Sequence, residues 1–165
     1  MKKNMGKFNF KNEGDFGKVS ADAEAFYATI GEVRCPYFEE KIAFNAAGFK
    51  HLKFKSDKVA RPRSEQYARL KLLTLAPRVL GLSRTVQGIW ETKRFERMRM
   101  HSRTDTILKP VSYFEFIAVL DNVRVKVVVK QVNGGQKFFW SIIPYWKIDS
   151  VNSRRILHSG EPEHD

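Results

Sequence analysis

Residues 113–146 read YFEFIAVLDNVRVKVVVKQVNGGQKFFWSIIPYW, and this stretch determines the fold class. Valine occupies every second position from 123 to 129, which is the pattern of a strand with one buried face. Tight turns are expected at residues 121–122 and 133–135, because Asn, Asp and Gly tolerate positive φ angles. The stretch therefore predicts an antiparallel meander of three strands.

Two helices are expected before the meander. Ser20 is a candidate N-cap for a helix through ADAEAFYATI, which ends before Pro36. Ser64 is a candidate N-cap for SEQYARLKLLTLAPRVL, and Pro77 breaks or kinks that helix. Helices that precede a sheet, without alternation of strand and helix, indicate the α+β class.

Between the two helices, KIAFN and HLKFK are short alternating runs that predict strands. In HLKFK, Leu52 and Phe54 would face the core. The opposite face would then carry three polar side chains, namely His51, Lys53 and Lys55. Residues 84–104 fit a strand or a helical turn and are left open.

Length and composition predict one folded domain over residues 1–165, with loose ends at 1–18 and 159–165. A hydrophobic content of 42% excludes a disordered polycation. The single cysteine, Cys35, excludes a disulfide framework and a cysteine-rich zinc site. No apolar run is long enough for a membrane span or a signal peptide, so a cytoplasmic protein without membrane contact is expected.

The net charge of +12 is concentrated in one part of the chain. Residues 50–103 contain fifteen Lys and Arg against four Asp and Glu, whereas the flanking segments are nearly neutral. So local an excess is costly through self-repulsion, and it indicates a polyanionic partner, RNA or DNA. The alternative is a solvated basic face without a ligand.

His51 is the candidate for chemistry within this basic segment. Cationic neighbours such as Lys50 and Arg61 would lower its pKa and keep the imidazole neutral. A neutral imidazole beside a bound phosphate can take a proton from a ribose 2′-OH, while Lys and Arg stabilise the phosphorane. The alternative is a histidine that only binds phosphate or is solvated.

Ser141 lies in the last strand of the meander, where strand alternation predicts that it faces away from Trp140 and towards the side of Phe139. It either fills a structural position or holds a phosphate oxygen. Several aromatic residues are candidates for stacking on bases, although most are expected in the core, and these are Trp90, Phe139, Trp140, Tyr145 and Trp146. Trp146 is the one most expected to be exposed.

Metal chemistry has weaker support. The four histidines lack ligand spacing, and no phosphate-binding glycine loop is present, so neither a metal nor a cofactor is expected. A magnesium-dependent nuclease can be drawn with Asp57, Glu91 and Lys93, in which the carboxylates hold the metal and the lysine orients water. Two acids and one lysine at loose spacing are common by chance.

Three segments together resemble one family. They are FNAAGFKHLKFK (residues 44–55), RPRSEQYARLKLLTLAPRVL (residues 61–80) and VKVVVKQVNGGQKFFWSIIPYWK (residues 125–147). From about Ile42 to Lys147 the chain resembles the phage- and mobile-element-associated nucleases of the barnase, colicin D and related toxin fold, abbreviated BECR. The resemblance implies N-terminal helices packed on a C-terminal antiparallel sheet of about four strands. It also implies a metal-independent ribonuclease, often a toxin that cuts tRNA or translated mRNA.

The resemblance implies roles for individual residues. The family's histidine falls on His51, and the chain lacks the carboxylate of the barnase general base, so the likeness is to the colicin D branch. Lys53, or a water held by Ser141, would protonate the leaving oxygen. The resemblance implies that Lys50, Arg61, Arg63 and Trp140 bind RNA. The residue pattern adds Lys55, on the face of His51, and Trp146 as RNA-binding residues.

The leading hypothesis is an endoribonuclease that uses 2′-OH transesterification, with His51, Lys53 and Ser141 as catalytic residues. Its partners would be RNA and an acidic immunity protein or antitoxin that covers the basic face. The alternative is a non-catalytic RNA- or DNA-binding module of a mobile element.

Overall fold

The computed structural model describes residue 10 and residues 14–100, 102–145 and 161–165. In this part of the chain, no helix is long and apolar enough to cross a membrane. A 3₁₀ turn spans Leu73–Leu75. In chain order the other elements are α1 (Phe16–Ile30), β1 (Glu32–Cys35), β2 (Glu40–Ala43), α2 (Ala46–Lys53), β3 (Phe54–Ser56), β4 (Val59–Ala60), α3 (Arg63–Leu72), α4 (Ala76–Leu82), β5 (Gly88–Met100), β6 (Arg103–Leu120), β7 (Val123–Val132) and β8 (Phe138–Pro144).

The main sheet has six strands in the order β1-β2-β8-β7-β6-β5, and β3 and β4 form a separate pair. Strands β5 to β8 are a meander, since each pairs antiparallel with the next. β2 runs parallel to β8 and meets it at one bridge, Ala43 with Phe138. The α+β class is confirmed, whereas the sheet has six strands with one parallel pair and the sequence predicts about four antiparallel strands. The sequence pattern shows neither that β5 is a fourth strand of the meander nor that β1 and β2 extend the sheet beside β8.

The meander turns lie where the sequence predicts them. Asp121 and Asn122 have φ angles of 50° and 62°, and Asn133 and Gly134 have φ angles of 50° and 69°. Residues 84–104, left open from the sequence, contain β5, a continuous strand of 13 residues.

Both faces of β7 are buried. Val125, Val127 and Val129 pack into the main core with the helices. Lys126, Val128 and Lys130 point to the other face, because side chains alternate along a strand. A short satellite cluster of apolar side chains covers this second face, and it contains Val111, Tyr113 and Val128.

The expected helix starts are displaced. α1 begins at Phe16 after Asp15, so Ser20 lies inside the helix and not at its cap. α1 ends at Ile30 because Gly31 has a φ angle of 64°, and the following residues form β1. Ser64 is also not a cap, since α3 begins at Arg63. The break at Pro77 is confirmed, because this proline lies in the first turn of α4.

HLKFK is not a strand, which corrects the sequence prediction. The first three of its residues complete α2, which starts after Asn45, whose side chain accepts a hydrogen bond from the Gly48 N–H at 3.1 Å. Only Phe54 and Lys55 belong to β3. Five residues of alternating polarity are too few to distinguish a strand from the end of a helix. As a consequence, His51 and Leu52 are both buried instead of facing opposite sides.

Gly48 allows α2 to lie close against β8. A Cβ atom built there would be 2.2 Å from the Phe139 carbonyl oxygen and 2.9 Å from the Tyr27 hydroxyl. We expect Gly48→Ala to lower the free energy of unfolding by about 2 to 3 kcal/mol, because neither neighbour is a flexible chain end. Gly17→Ala is the control, since its Cβ would meet nothing within 4 Å. Urea unfolding of both variants checks this, and equal stability would contradict the close contact.

The ends expected to be loose are partly structured. Asp15 accepts a hydrogen bond from the Tyr67 hydroxyl at 2.6 Å, and residues 16–18 belong to α1. Residues 161–165 contact the sheet, and Asp165 is fully buried. Residues 1–9, 11–13 and 146–160 lie outside the described part of the chain.

Candidate functional site

A β-bulge at Trp140 shapes the site. In the pairing of β7 with β8, Val128 is opposite Ser141 and Val129 is opposite Phe139, so Trp140 is an extra residue. Trp140 packs on the satellite cluster with Val128, and cross-strand partners share a face. Trp140 and Ser141 therefore lie on the same face of the sheet. Strand alternation predicts that Ser141 and Trp140 lie on opposite faces of the sheet. This prediction is wrong because the bulge adds one residue between the paired positions.

Six buried polar residues meet on this face, beside α2 and α3. We call them the basic cluster, and they are His51, Arg61, Arg69, Lys126, Lys130 and Ser141. Arg69, Lys126 and Arg61 have relative exposures of 0%, 1% and 3%. Burying an unpaired cation costs several kcal/mol. So many buried cations therefore require anions beside them.

Asp165 supplies one of these anions. Its main-chain oxygen accepts hydrogen bonds from Arg69 Nη1 and from the Ser141 hydroxyl, the latter at 2.5 Å. Arg69 Nη1 also donates to Ser141 Oγ at 2.6 Å. The Asp165 carboxylate accepts from Lys126 Nζ at 2.6 Å. The main-chain oxygen and the carboxylate of Asp165 thus accept hydrogen bonds from three side chains of the cluster.

The rest of residues 161–165 lies across the same face. Arg61 Nη2 donates to the main-chain oxygen of His164 at 2.9 Å, and Trp140 Nε1 donates to that of Glu163 at 3.2 Å. The Glu163 carboxylate forms an ion pair with Arg94 on β5. Residues 161–165 therefore cover the basic cluster.

The basic cluster has two further carboxylate partners among the described residues. Glu65 lies 3.5 Å from Arg61 Nη1, one helical turn along the chain. Glu115, on β6, lies 3.3 Å from Lys126 Nζ. Both belong to the fixed framework, whereas Asp165 belongs to a separate segment that lies on top of it.

His51 sits between an aromatic ring and a guanidinium group. Its ring stacks on Trp140 with centroids 4.0 Å apart and an interplanar angle of 19°. Its Nε2 atom is 2.9 Å from Arg61 Nη2. A guanidinium group only donates hydrogen bonds, so His51 Nε2 is the acceptor and the imidazole is neutral. The Arg61 Nε–H also donates to the main-chain oxygen of His51 at 2.9 Å, which ties α2 to the start of α3.

Burial and neighbouring cations lower the pKa values of the cluster. Burial is the largest cause for His51, whose pKa falls to about 2, with further contributions from Arg61, Arg69 and Lys130. A hydrogen bond to the main chain of Asp165 opposes this. Burial also lowers the pKa of Arg69 to about 9, with Arg61 adding to the effect. At neutral pH the imidazole is therefore neutral and Arg69 is charged.

The lowered pKa of His51 predicts acid sensitivity. The unfolded chain binds a proton near pH 6.5, whereas the folded chain resists it down to about pH 2. Stability should be complete above pH 6.5 and should fall below it by up to ~1.4 kcal/mol per pH unit. Relative to His51→Asn, the wild-type protein should lose about 2 kcal/mol more between pH 7 and pH 5. Urea unfolding at both pH values checks this, and parallel losses would show that His51 is protonated in the folded protein.

The structure separates the predicted site residues into two groups. His51, Arg61, Trp140 and Ser141 come together in or beside the basic cluster. The other predicted residues that are described lie outside it, and these are Lys50, Lys53, Lys55 and Arg63. Trp146 lies outside the described residues.

Lys53 and Arg63 contact aromatic rings outside the basic cluster. Lys53 Nζ lies 4.9 Å from the centroid of the Phe49 ring, and the Arg63 guanidinium lies 4.5 Å from that of Phe16. Because Lys53 lies in α2 and not in a strand, its ammonium group lies over the Phe49 ring and not in the basic cluster. The expectation that Lys53 protonates a leaving oxygen is not supported by this position.

Lys50 and Lys55 line a cleft that leads to the cluster. The cleft has a volume of about 230 Å³, and His51 and Trp140 form part of its wall. Lys50 binds Asp57 at 2.7 Å on its rim. The lysines that line it suit the approach of an RNA phosphate to His51.

Among the described residues, the magnesium alternative lacks a group of three metal ligands. Asp57 is paired with Lys50, which lowers the pKa of its carboxyl group. Across the described ranges, no three His, Cys, Asp or Glu side chains lie close enough to hold a metal ion. A magnesium site with the two carboxylates of Asp57 and Glu91 and with Lys93 stays a prediction from the sequence.

Arg69, Lys126 and Lys130 were not singled out from the sequence. The meander contains a signal for the two lysines, because Lys126 and Lys130 flank Val128, which is opposite Ser141. Arg69 carries no comparable signal. It is a charged residue next to apolar positions of α3, and only the packing of α3 against β8 shows that it reaches Ser141.

Comparison with known proteins gives no match to a protein-family model, to a curated protein or to a solved structure.

Proposed function

We propose that this protein is a metal-independent endoribonuclease that binds an RNA phosphate in the basic cluster. The observation that carries this proposal is the position of Asp165, whose oxygens accept hydrogen bonds from Arg69, Ser141 and Lys126. A phosphodiester presents the same feature, namely several anionic oxygens within a small volume. Arg69 and Ser141 would donate to it in place of the segment.

The donors are suited to stabilise the transition state. Attack on phosphorus places additional negative charge on the non-bridging oxygens. Arg69 and Ser141 are fixed by burial before the charge develops, which is the arrangement that lowers a reaction barrier. Lys50 and Lys55 at the cleft would guide the polymer but would not contact the reacting atoms.

His51 is the proposed general base. Its Nε2 lone pair faces Arg61 while the site is closed. When RNA replaces residues 161–165, Arg61 can turn to the phosphate and release Nε2 towards the 2′-OH. The incoming anion offsets the repulsion from the cluster and so raises the His51 pKa, which improves a base that is too weak in the closed site.

The proposed reaction balances within the cluster. His51 Nε2 takes the proton of the 2′-OH, O2′ bonds to phosphorus, and the bond from phosphorus to O5′ breaks. The products are a 2′,3′-cyclic phosphate and a 5′-hydroxyl. Lys126 is the proposed donor of the proton to O5′, because its ammonium group already contacts an anion at this place. Exchange with solvent then removes the proton from His51 and restores the proton of Lys126.

The BECR-like fold is part of this proposal. The resemblance implies helices before an antiparallel sheet, a histidine in a basic strand and a serine near the end of the penultimate or last strand. Ser141 in β8 fits this arrangement, whereas His51 lies in α2 and departs from it. A toxin role with tRNA as substrate, and an acidic partner protein that covers the basic face, belong to the same proposal.

RNA cleavage in EDTA tests the proposal. We expect products with 2′,3′-cyclic phosphate and 5′-hydroxyl ends, and no cleavage where the reacting nucleotide is 2′-deoxy, since the nucleophile is then absent. Cleavage that requires magnesium, or products with 5′-phosphate ends, would contradict it. Steeply salt-dependent binding without any product would instead support the non-catalytic module.

A further inference from the structure

A row of side chains leads from the basic cluster across the sheet. Trp90 on β5 is opposite Tyr113 on β6, and Tyr113 is opposite Lys130 on β7. Lys130 Nζ lies 4.1 Å from the centroid of Trp140 and 5.8 Å from that of Tyr113. Because cross-strand partners share a face, the four side chains lie on the face that carries the cluster.

Trp90 differs from the other aromatic members of the row in its exposure. Tyr113 is 1% exposed, whereas Trp90 is 47% exposed on the edge strand. Arg94 lies on the same face of β5, four residues further along, with its side chain 45% exposed. Four residues of a strand span about 13 Å, so the exposed indole ring offers a flat surface for a base and Arg94 a cation for a more distant phosphate of the same strand.

We propose that Trp90 is a stacking site for a nucleobase of single-stranded RNA bound in the cluster. The identity of the polymer rests on the proposed function. Neighbouring strands are about 4.8 Å apart, so three strand spacings place Trp90 roughly 14 Å from Trp140. The stacked base therefore belongs to a nucleotide outside the cleaved bond, and Arg94 contacts another phosphate of the same strand after Glu163 leaves.

Binding of a short RNA tests this site. The probe is a fluorescein-labelled hexanucleotide with 2′-O-methyl groups, which bind but do not react. Trp90→Ala should weaken its affinity by about 10-fold, whereas Trp90→Phe should retain most of it, because any aromatic ring can stack. Ile89→Ala is the matched control, since Ile89 is its neighbour, is 54% exposed and points to the opposite face.

The salt dependence of binding separates stacking from charge. Trp90→Ala should leave the slope of affinity against salt unchanged, while Arg94→Gln should reduce it by about 1. Urea unfolding confirms that each variant is folded.

Equal affinities for Trp90→Ala and Ile89→Ala would overturn the stacking site even if RNA is cleaved. A Trp90 effect on binding without RNA cleavage would retain the site and refute the ribonuclease. An absence of RNA binding by the wild-type protein would overturn both.

Discussion

His51→Ala is expected to lower the rate of RNA cleavage by about two to four orders of magnitude, because the variant has no group to take the 2′-OH proton. RNA affinity should change at most a few-fold, since the neutral imidazole contributes no charge to phosphate binding. The effect should therefore fall on kcat and not on KM. Single-turnover cleavage in EDTA, with enzyme in excess, measures it.

Lys53→Gln is the control for this prediction. Lys53 is two residues away on the same helix, and its ammonium group lies over Phe49 instead of in the cluster. We expect this variant to cleave RNA at nearly the wild-type rate. Loss of activity in Lys53→Gln, with activity retained in His51→Ala, would move the catalytic group away from the cluster.

Asp165→Asn is expected to increase RNA affinity and kcat/KM by about 10-fold or more. The change removes the ion pair between Lys126 Nζ and the Asp165 carboxylate, which holds the closing segment in place. Each ~1.4 kcal/mol lost from the closed state makes the cluster tenfold more available to RNA. Anisotropy titration with a 2′-O-methyl RNA, and cleavage of the matching unmodified RNA, measure the two quantities.

Glu161→Gln is the matched control, because it removes one charge from the same segment at an exposed position. It should leave affinity and cleavage nearly unchanged. If Asp165→Asn binds RNA more tightly but cleaves it more slowly, the Asp165 carboxylate takes part in the reaction. If it binds RNA no more tightly, residues 161–165 do not compete with RNA.

Local patterns predict the meander and its turns well, because each depends on neighbours in sequence. Alternating valines mark β7, and the left-handed φ angles at Asn122 and Asn133 require residues that tolerate them. Long-range pairing is different. The bridge between Ala43 and Phe138 joins strands that are far apart in sequence, and no short pattern reports it.

The candidate site shows the same division. His51 and Ser141 are recognisable as isolated polar groups beside apolar or basic residues, and both belong to the basic cluster. The bulge at Trp140 is set by strand pairing, so sequence alternation wrongly places Ser141 on the face opposite Trp140. Arg69 and Asp165 meet at the cluster only after a helix and a distant segment pack on the sheet. Lys53 and Arg63 were expected there because of their charge and the resemblance, and neither specifies the direction in which a side chain points.

The most direct test of the central claim is a structure of the protein with a 2′-O-methyl RNA. The account predicts a phosphate within hydrogen-bond distance of Arg69 Nη1 and Ser141 Oγ, with residues 161–165 displaced and His51 Nε2 facing the 2′ position. RNA bound elsewhere on the basic surface, with Asp165 still in contact with Arg69 and Lys126, would contradict it.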